Sequence, residues 1–332
     1  MKRVECALSF ILSLILCFSL CSCNNSTNTA DTDSTSNDQT DVSTYAPAAT
    51  PLLEGKDVLF QIPGKFDVSM GYVIRTSDNK TIVIDGGEAN ADHYNDVRDD
   101  FMNVVRSVTG DMTPTIDAWF FSHCHRDHIG VFNELMAENS PALIVKNVYY
   151  NFPSKEYIRS DTSDMSTYNN FMSALGKCEN VVTVQQGDII QIGSVSFEVM
   201  LTPDESVTSN RINESSVVYR ATISQQSVLF LGDLGRAGGL RLYHLYRNKL
   251  QSDVVQMAHH GSNGVTDEIY RVIAPKVCLW PDPAFIWDEG RNDAGEFSTI
   301  KTYDFLNELN KDIKHYIASQ EGLLMLEFPL DI

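Results

Sequence analysis

The sequence predicts an α/β protein built as a four-layer sandwich, two sheets face to face with helices on the outer sides. Two observations carry this. From Lys56 onward short apolar runs alternate with stretches of helical periodicity, and the strand-rich segments fall into two halves that each finish with helices. No linker divides this body and no internal repeat is visible in it.

In the first half "DVLFQIP" (57–63), "GYVIRT" (71–76) and "TIVIDGG" (81–87) read as successive strands, the last two joined by the turn-rich "SDNK". A helix is predicted over 92–108. "TIDAWFFSH" (115–123) is the next strand, and "DHIGVFNELMAE" (127–138) carries apolar residues at helical spacing. A strand at "VKNVYYNF" and a helix at "YNNFMSALGKC" lead to the strand ladder "VVTVQQ", "DIIQIG" and "VSFEVMLTP". "ESSVVYRATIS" and "SVLFLGD" follow as strands. The rest alternates: helix 240–249, strand "DVVQMA", helix 267–273, strand "KVCLW", helix 298–309, and the strands "HYIAS" and "LLMLEF".

The chain has 332 residues, of which 43% are hydrophobic, enough to build a core, but not all of it is body. Residues 1–23 open with Lys2 and Arg3, continue with an apolar stretch from Ala7 to Leu20 and end in Leu20-Cys21-Ser22-Cys23. That is a secretory leader. Its ending resembles a bacterial lipobox, which implies cleavage before Cys23 and a lipid on that cysteine. A plain signal peptide or a membrane anchor is the blander alternative, against which the apolar run is short for a span of ~20 residues. Residues 24–55 are almost free of large apolar side chains up to Pro51 and read as a disordered polar tether, with 56–332 as the folded domain. The expected location is therefore outside the cell, anchored to the outer face of the bacterial membrane.

Cys6, Cys17 and Cys21 leave with the leader, so Cys124, Cys178 and Cys278 remain beside Cys23, without framework spacing for disulfides. The net charge is -19, and no Lys/Arg cluster breaks it. Such a field disfavours a passive nucleic-acid-binding module. Nucleic acid enters only as a substrate, beside a small molecule or an envelope polymer, and no protein partner is indicated.

Three apolar strands end in metal-type residues: "AWFFSHCHRDH", "SVLFLGD" and "DVVQMAHHGS". His123 and His125, two apart, point to one side of an extended segment while Cys124 points to the other. Asp127 and His128 follow at the turn into a helix. Imidazole with carboxylate is a donor set for zinc, iron or manganese, and the ends of strands are where α/β proteins place their sites.

These residues resemble the metallo-β-lactamase-fold hydrolase superfamily. "HCHRDHIG", "NESS", "LFLGDLG" and "AHHGS" are most similar to the extracellular hydrolase domain of competence DNA-uptake channel proteins, over roughly 57–329. The resemblance implies two divalent ions, zinc first with manganese or iron as alternatives. His123 and His125 would hold one ion, Asp127, His128 and His259 the other, and Asp233 would bridge them. Asp85 would buttress the histidine loop. Asp127 is carried over as catalytic too, and His260, beside the ligand, as the residue that meets developing charge or protonates a leaving group. The two members of "HHGS" can exchange roles. One departure stands out: no histidine lies between His128 and Asp233, where the common pattern has another ligand. "RINESS" stands there, with Asn213 or Ser216 as candidates to orient substrate, or a water to complete the shell.

His93, His244 and His315 read as structural or surface residues. Trp280 and Trp287 read as core or as cleft lining. The implied reaction is hydrolysis by water activated between two ions, of a phosphodiester first. A small carbonyl substrate (lactone, thioester or β-lactam) and a catalytically depleted binding protein of the same fold are the alternatives.

Overall fold

Period-two alternation decides what each strand side is buried against. Tyr72, Ile74, Ile84 and Phe120 pack with Phe197, Tyr219 and Phe230 between two sheets. Their strand neighbours Val73, Val83 and Trp119 face the other way, together with Phe121, onto Phe132 and Phe171 of the helices Arg126–Ala137 and Ser166–Ala174. Beyond the second sheet Leu229, Val255 and Trp280 pack with Leu242, Tyr270 and Leu306 of the helices Arg236–Tyr246, Asp267–Ile273 and Thr299–Leu309. Three apolar layers separate helix, sheet, sheet and helix, the predicted four-layer α/β sandwich.

This is a computed structural model that describes residues 53, 55–62, 68–88, 94–138, 141–162, 165–291 and 298–332. The leader, nearly all of the tether, and His93 lie outside the described residues. Among the described residues no helix is long and apolar enough to cross a membrane, and Cys124, Cys178 and Cys278 are free thiols.

The first sheet has seven strands in the order Leu324–Phe328, Asp57–Gln61, Gly71–Arg75, Thr81–Asp85, Ala118–Phe120, Asn147–Tyr150 and Asn180–Thr183. The second runs Lys314–Ile317, Val277–Trp280, Val254–Gln256, Gln226–Phe230, Val218–Ile223, Val195–Leu201 and Ile189–Ile192. Each is half antiparallel and half parallel, and Thr81–Asp85, Ala118–Phe120, Gln226–Phe230 and Val254–Gln256 belong to parallel pairs. These buried strands are the apolar runs whose carboxyl ends carry the metal-type residues.

Several elements depart from expectation. The segment 115–123 is not one strand: Thr115–Ile116 pairs with Ile144–Val145 in a separate two-stranded sheet, and the chain leaves the main sheet after Phe120. The helix predicted at 240–249 spans Arg236–Tyr246. Gly238 and Gly239 hid its first turns, being poor helix formers kept for close packing: a Cβ on Gly239 would lie 2.9 Å from Val265 Cγ1. Between the strand "KVCLW" and the helix expected at 298–309, where no element is predicted, lies the helix Ala284–Arg291. Trp280 and Trp287 are buried and edge-to-face, so they are core rather than cleft. His315 is structural, receiving the Trp280 indole N–H at 3.1 Å.

The core reaches the site directly. Trp119 is fully buried, stacks on Phe101 and Phe121, and donates its indole N–H to the carbonyl of Asp85 at 2.6 Å. Truncating it would cost about 3–5 kcal/mol and release the backbone that carries that carboxylate.

Candidate metal centre

Two groups of donors converge where the parallel strands end. Asp127, His128, Asp233 and His260 form one, His123, His125 and Asp233 the other, each with ligand atoms within 4.8 Å of one another. Asp233 is common to both. The fold places Asp85, the histidine loop, Asp233 and "HHGS" around one point because all four follow adjacent strand ends.

The histidines are oriented from behind. Asp85 Oδ2 accepts from His128 Nδ1 at 2.9 Å and from the Ser122 hydroxyl at 2.7 Å, while Oδ1 accepts from the Ser122 amide at 2.8 Å. Ser122 Oγ, its proton given to Asp85, receives His123 Nδ1–H at 3.1 Å. His260 Nδ1 lies 2.7 Å from the carbonyl of Pro281, which can only accept. In all three rings the proton on Nδ1 is accounted for, and Nε2 is turned to the centre.

There His123 Nε2 meets His125 Nδ1 at 3.1 Å, and His128 Nε2 is 3.2 Å from Asp233 Oδ1. His260 Nε2 lies 3.0 Å from Asp127 Oδ2 and 3.6 Å from Asp233 Oδ2. Among the described residues, His128 Nε2 and Asp233 Oδ1 are both buried without a hydrogen-bond partner. Two facing orphans of this kind, inside an imidazole and carboxylate set, fit a divalent cation of the zinc, manganese or iron class.

Electrostatics agree. Burial opposes charge on His128 and His260, but Asp233 and Asp127 outweigh it, helped at His128 by Asp85. His128 is held well above its usual pKa and His260 is raised to about 10. Burial likewise opposes charge on Asp127 and Asp233, and the two imidazoliums overcome it, holding both carboxyls well below their usual range. His123 goes the other way, pushed well down by burial and by the neighbouring His128. Without metal the carboxylates are balanced by protons on imidazole, and a divalent ion would displace those protons.

The geometry places His259, His260, Ser216 and Asn213 differently from expectation. In "HHGS" it is His260, not His259, that joins Asp127, His128 and Asp233. His259 and His260 both sit in the left-handed region, φ 52° and 53°, a conformation that costs on the order of 1–3 kcal/mol per residue. The turn swings His260 inward, to 2% exposure, and leaves the His259 side chain 32% exposed. His260 thus lies buried among the donors, and His259 stands at the edge, its Nε2 4.0 Å from Asp233 Oδ2.

Ser216 is turned inward as well. It is fully buried, accepts the Asp233 amide at 3.0 Å and lies 3.4 Å from His123 Nδ1, so it braces a carboxylate and a histidine. Asn213 is 5% exposed, and its amide Nδ2 donates to His259 Nε2 at 3.2 Å. Together with Glu214, which accepts the amides of Ala237 and Gly238, "NESS" buckles the turn after Asp233 to the histidines. Gly232, φ 57°, makes the close approach possible, since a Cβ there would lie 2.8 Å from the Ser122 Cβ.

Sequence reasoning missed Ser122, Pro281 and Gln256. Gln256 is fully buried, accepts the amides of Leu231 and Gly232, and donates to the carbonyls of Gly232 and Met257. It ties the Asp233 turn to "HHGS". Its signal was available, a lone polar residue in the apolar run "DVVQMA".

Comparison with known proteins reaches the same place. ComE operon protein 3 of Bacillus subtilis (strain 168) is 25% identical over 166 residues, 49% of this chain and 20% of that protein. The chain thus spans about a fifth of that relative's length. Among solved structures, the metallo-beta-lactamase fold protein YhfI of Bacillus subtilis superposes with a TM-score of 0.48 at 12% identity, covering 82% of this chain and 99% of that one. A diphosphatase of the PhnP family does so with a TM-score of 0.46 at 14% identity, covering 82% and 98%. Residues 64–276 match the family model of the metallo-beta-lactamase superfamily. That stretch holds the histidine loop, "NESS", Asp233 and "HHGS", and the chain belongs to this superfamily.

Proposed function

We propose that this chain is a metal-dependent hydrolase of phosphodiesters, exported and held at the outer face of the bacterial membrane through lipid on Cys23. The observation that carries the reading is a pair of donor groups sharing the carboxylate of Asp233. Two divalent ions held there would supply water acidic enough to attack at neutral pH and positive charge for the phosphoryl oxygens.

The chain's own residues do the rest. Asp127, His128 and His260 would hold one ion and His123 and His125 the other, with Asp233 available to both. Asp85, Ser122, Ser216 and the Pro281 carbonyl keep the donors aimed. His259 is the proton carrier. The ring atom that faces the centre is Nε2, 3.2 Å from the Asn213 amide nitrogen and 4.0 Å from Asp233 Oδ2, and the side chain is 32% exposed, so a leaving oxygen can be met there.

The alternatives fare less well. Cys124, the one cysteine in the histidine loop, lies in the apolar cluster beneath the helices, so a metal-binding cysteine of the β-lactam-cleaving type has no counterpart. A depleted binding protein would not need buried donors braced from behind as His123, His128 and His260 are. The test is hydrolysis by the full chain purified in detergent, loaded with zinc, manganese or iron, of bis-p-nitrophenyl phosphate, nitrocefin and a lactone. Cleavage of the phosphodiester alone supports the reading. Cleavage of the lactone or nitrocefin but not the diester, or of none of the three, refutes it.

A further inference from the structure

The helix Arg236–Tyr246 and the short 3-10 turn Arg247–Leu250 after it carry charge opposite in sign to the rest of the chain. From Leu234 to Ser252 there is no Asp or Glu, yet Arg236, Arg241, Arg247 and Lys249 fall in this stretch of a chain with 44 acidic and 25 basic residues. They are spaced out in sequence, and the helix gathers them. Gly238, Gly239 and Leu242 turn to the core. At about 100° per residue, Arg236, Leu240, Tyr243 and His244 share the opposite side, with Leu245 exposed at its margin.

This outward face mixes apolar and cationic groups. Leu240 and Leu245 are 43% and 51% exposed, and half-buried Tyr243 carries the Arg247 guanidinium over its ring at 5.5 Å. Arg241 is engaged by Asp204 at 3.1 Å, and Glu268 of a neighbouring helix lies in the field of Arg236. Among the described residues no carboxylate pairs with Arg247 or Lys249. Single exposed leucines are ordinary, but leucines set among free cations suit a lipid interface, where apolar side chains enter the acyl boundary and Arg and Lys reach the phosphates. An acidic polymer would use the cations and leave the leucines in water. The helix has 11 residues, too few for a bilayer span of about 20, so it can lie on lipid but not cross it.

We infer that this face rests on an anionic lipid surface. The helix starts just after the Asp233 turn, so a body docked in this way keeps the strand end that bears the shared carboxylate near the lipid. The inference rests on the proposed membrane location and adds an orientation to it. The full chain is mixed with vesicles of phosphatidylglycerol and phosphatidylcholine in equal parts, or of phosphatidylcholine alone, and amide hydrogen exchange is followed by mass. A leader or a lipid would hold the chain to either vesicle, so the readout is local. Exchange over Arg236–Leu250 is expected to slow about 5-fold or more on the anionic vesicles only. Arg247→Glu/Lys249→Glu and Leu240→Ser/Leu245→Ser should each abolish the slowing, with exchange over Val277–Trp280 as in the wild type. Equal exchange on the two vesicles, or slowing that survives either pair of substitutions, would overturn the inference. So would slowing without vesicles as protein concentration rises, since a second copy would then be what covers the face. Lipid on Cys23 is read separately from the intact mass, so its absence is not confused with failure of the face.

Discussion

Around Asp233, the group of Asp127, His128 and His260 differs from that of His123 and His125 in how many donors it has and how they are held. In the first, His128 is fixed by Asp85 and His260 by the Pro281 carbonyl, from strand ends of both sheets. In the second, His123 leans on Ser122, whereas His125 is half-buried and, among the described residues, no carbonyl or carboxylate within hydrogen-bond reach orients it. Donors held from behind bind without further ordering cost. If both groups take an ion, the one at Asp127, His128 and His260 is expected to be held more tightly than the one at His123 and His125.

Asp233→Asn tests what the groups share and has the largest expected effect. Both lose the carboxylate, so hydrolysis falls by more than the ~10⁴-fold that a single acid-base group can supply, and metal analysis finds neither ion at full occupancy. Next comes the pair in "HHGS". His260→Ala is expected to lose the tightly held ion, whereas His259→Ala keeps both ions and slows turnover by ~10²-fold or more. The opposite pattern of metal content would return His259 to the ligand set.

Asp85→Asn sharpens the contrast from behind. It frees His128 without touching a donor, and should weaken the tighter ion by roughly 10–100-fold. During dialysis the wild type should release the His123/His125 ion first, and the variant should lose that order.

The smallest effect lies just outside both groups. Asp282 follows the carbonyl that holds His260, is fully buried, and among the described residues has no hydrogen-bond partner on either oxygen. Burial raises its pKa from 3.8 to about 8, with the charge of His260 opposing. The folded protein then holds a proton that the unfolded chain gives up, so stability is lost as pH rises through that window. Asp282→Asn should raise Tm by about 3 °C in a buffer above pH 8, with the gain vanishing as pH falls toward 3.8. A constant gain at every pH would mean that the carboxyl is not the cause.

Much of this was legible before any coordinates. Alternation in "GYVIRT" and "TIVIDGG" marks which side of a strand is apolar, because side chains alternate at every residue whatever the strand pairs with. Three apolar runs ending in His or Asp disclose the donors, since titratable groups gathered after buried strands point to metal binding or catalysis. Pairing was not legible. "LLMLEF" looks like any strand, and only the completed sheet places Leu324–Phe328 beside Asp57–Gln61, away from its sequence neighbour Lys314–Ile317 in the other sheet.

The sequence by itself determined the sandwich, the donor types and their order along the chain, because periodicity and residue chemistry are local properties. Which of two adjacent histidines turns inward was decided by the tertiary structure alone. Left-handed backbone at His259 and His260 is tolerated only because Pro281, Gly232 and Trp280 surround the turn: a carbonyl takes Nδ1 of His260, another takes the amide of His259, and an indole leaves room for nothing larger than Gly261. Those partners lie on other strands, so neither the orientation of His260 nor the bracing role of Ser216 can be read from the neighbours of either residue in the chain.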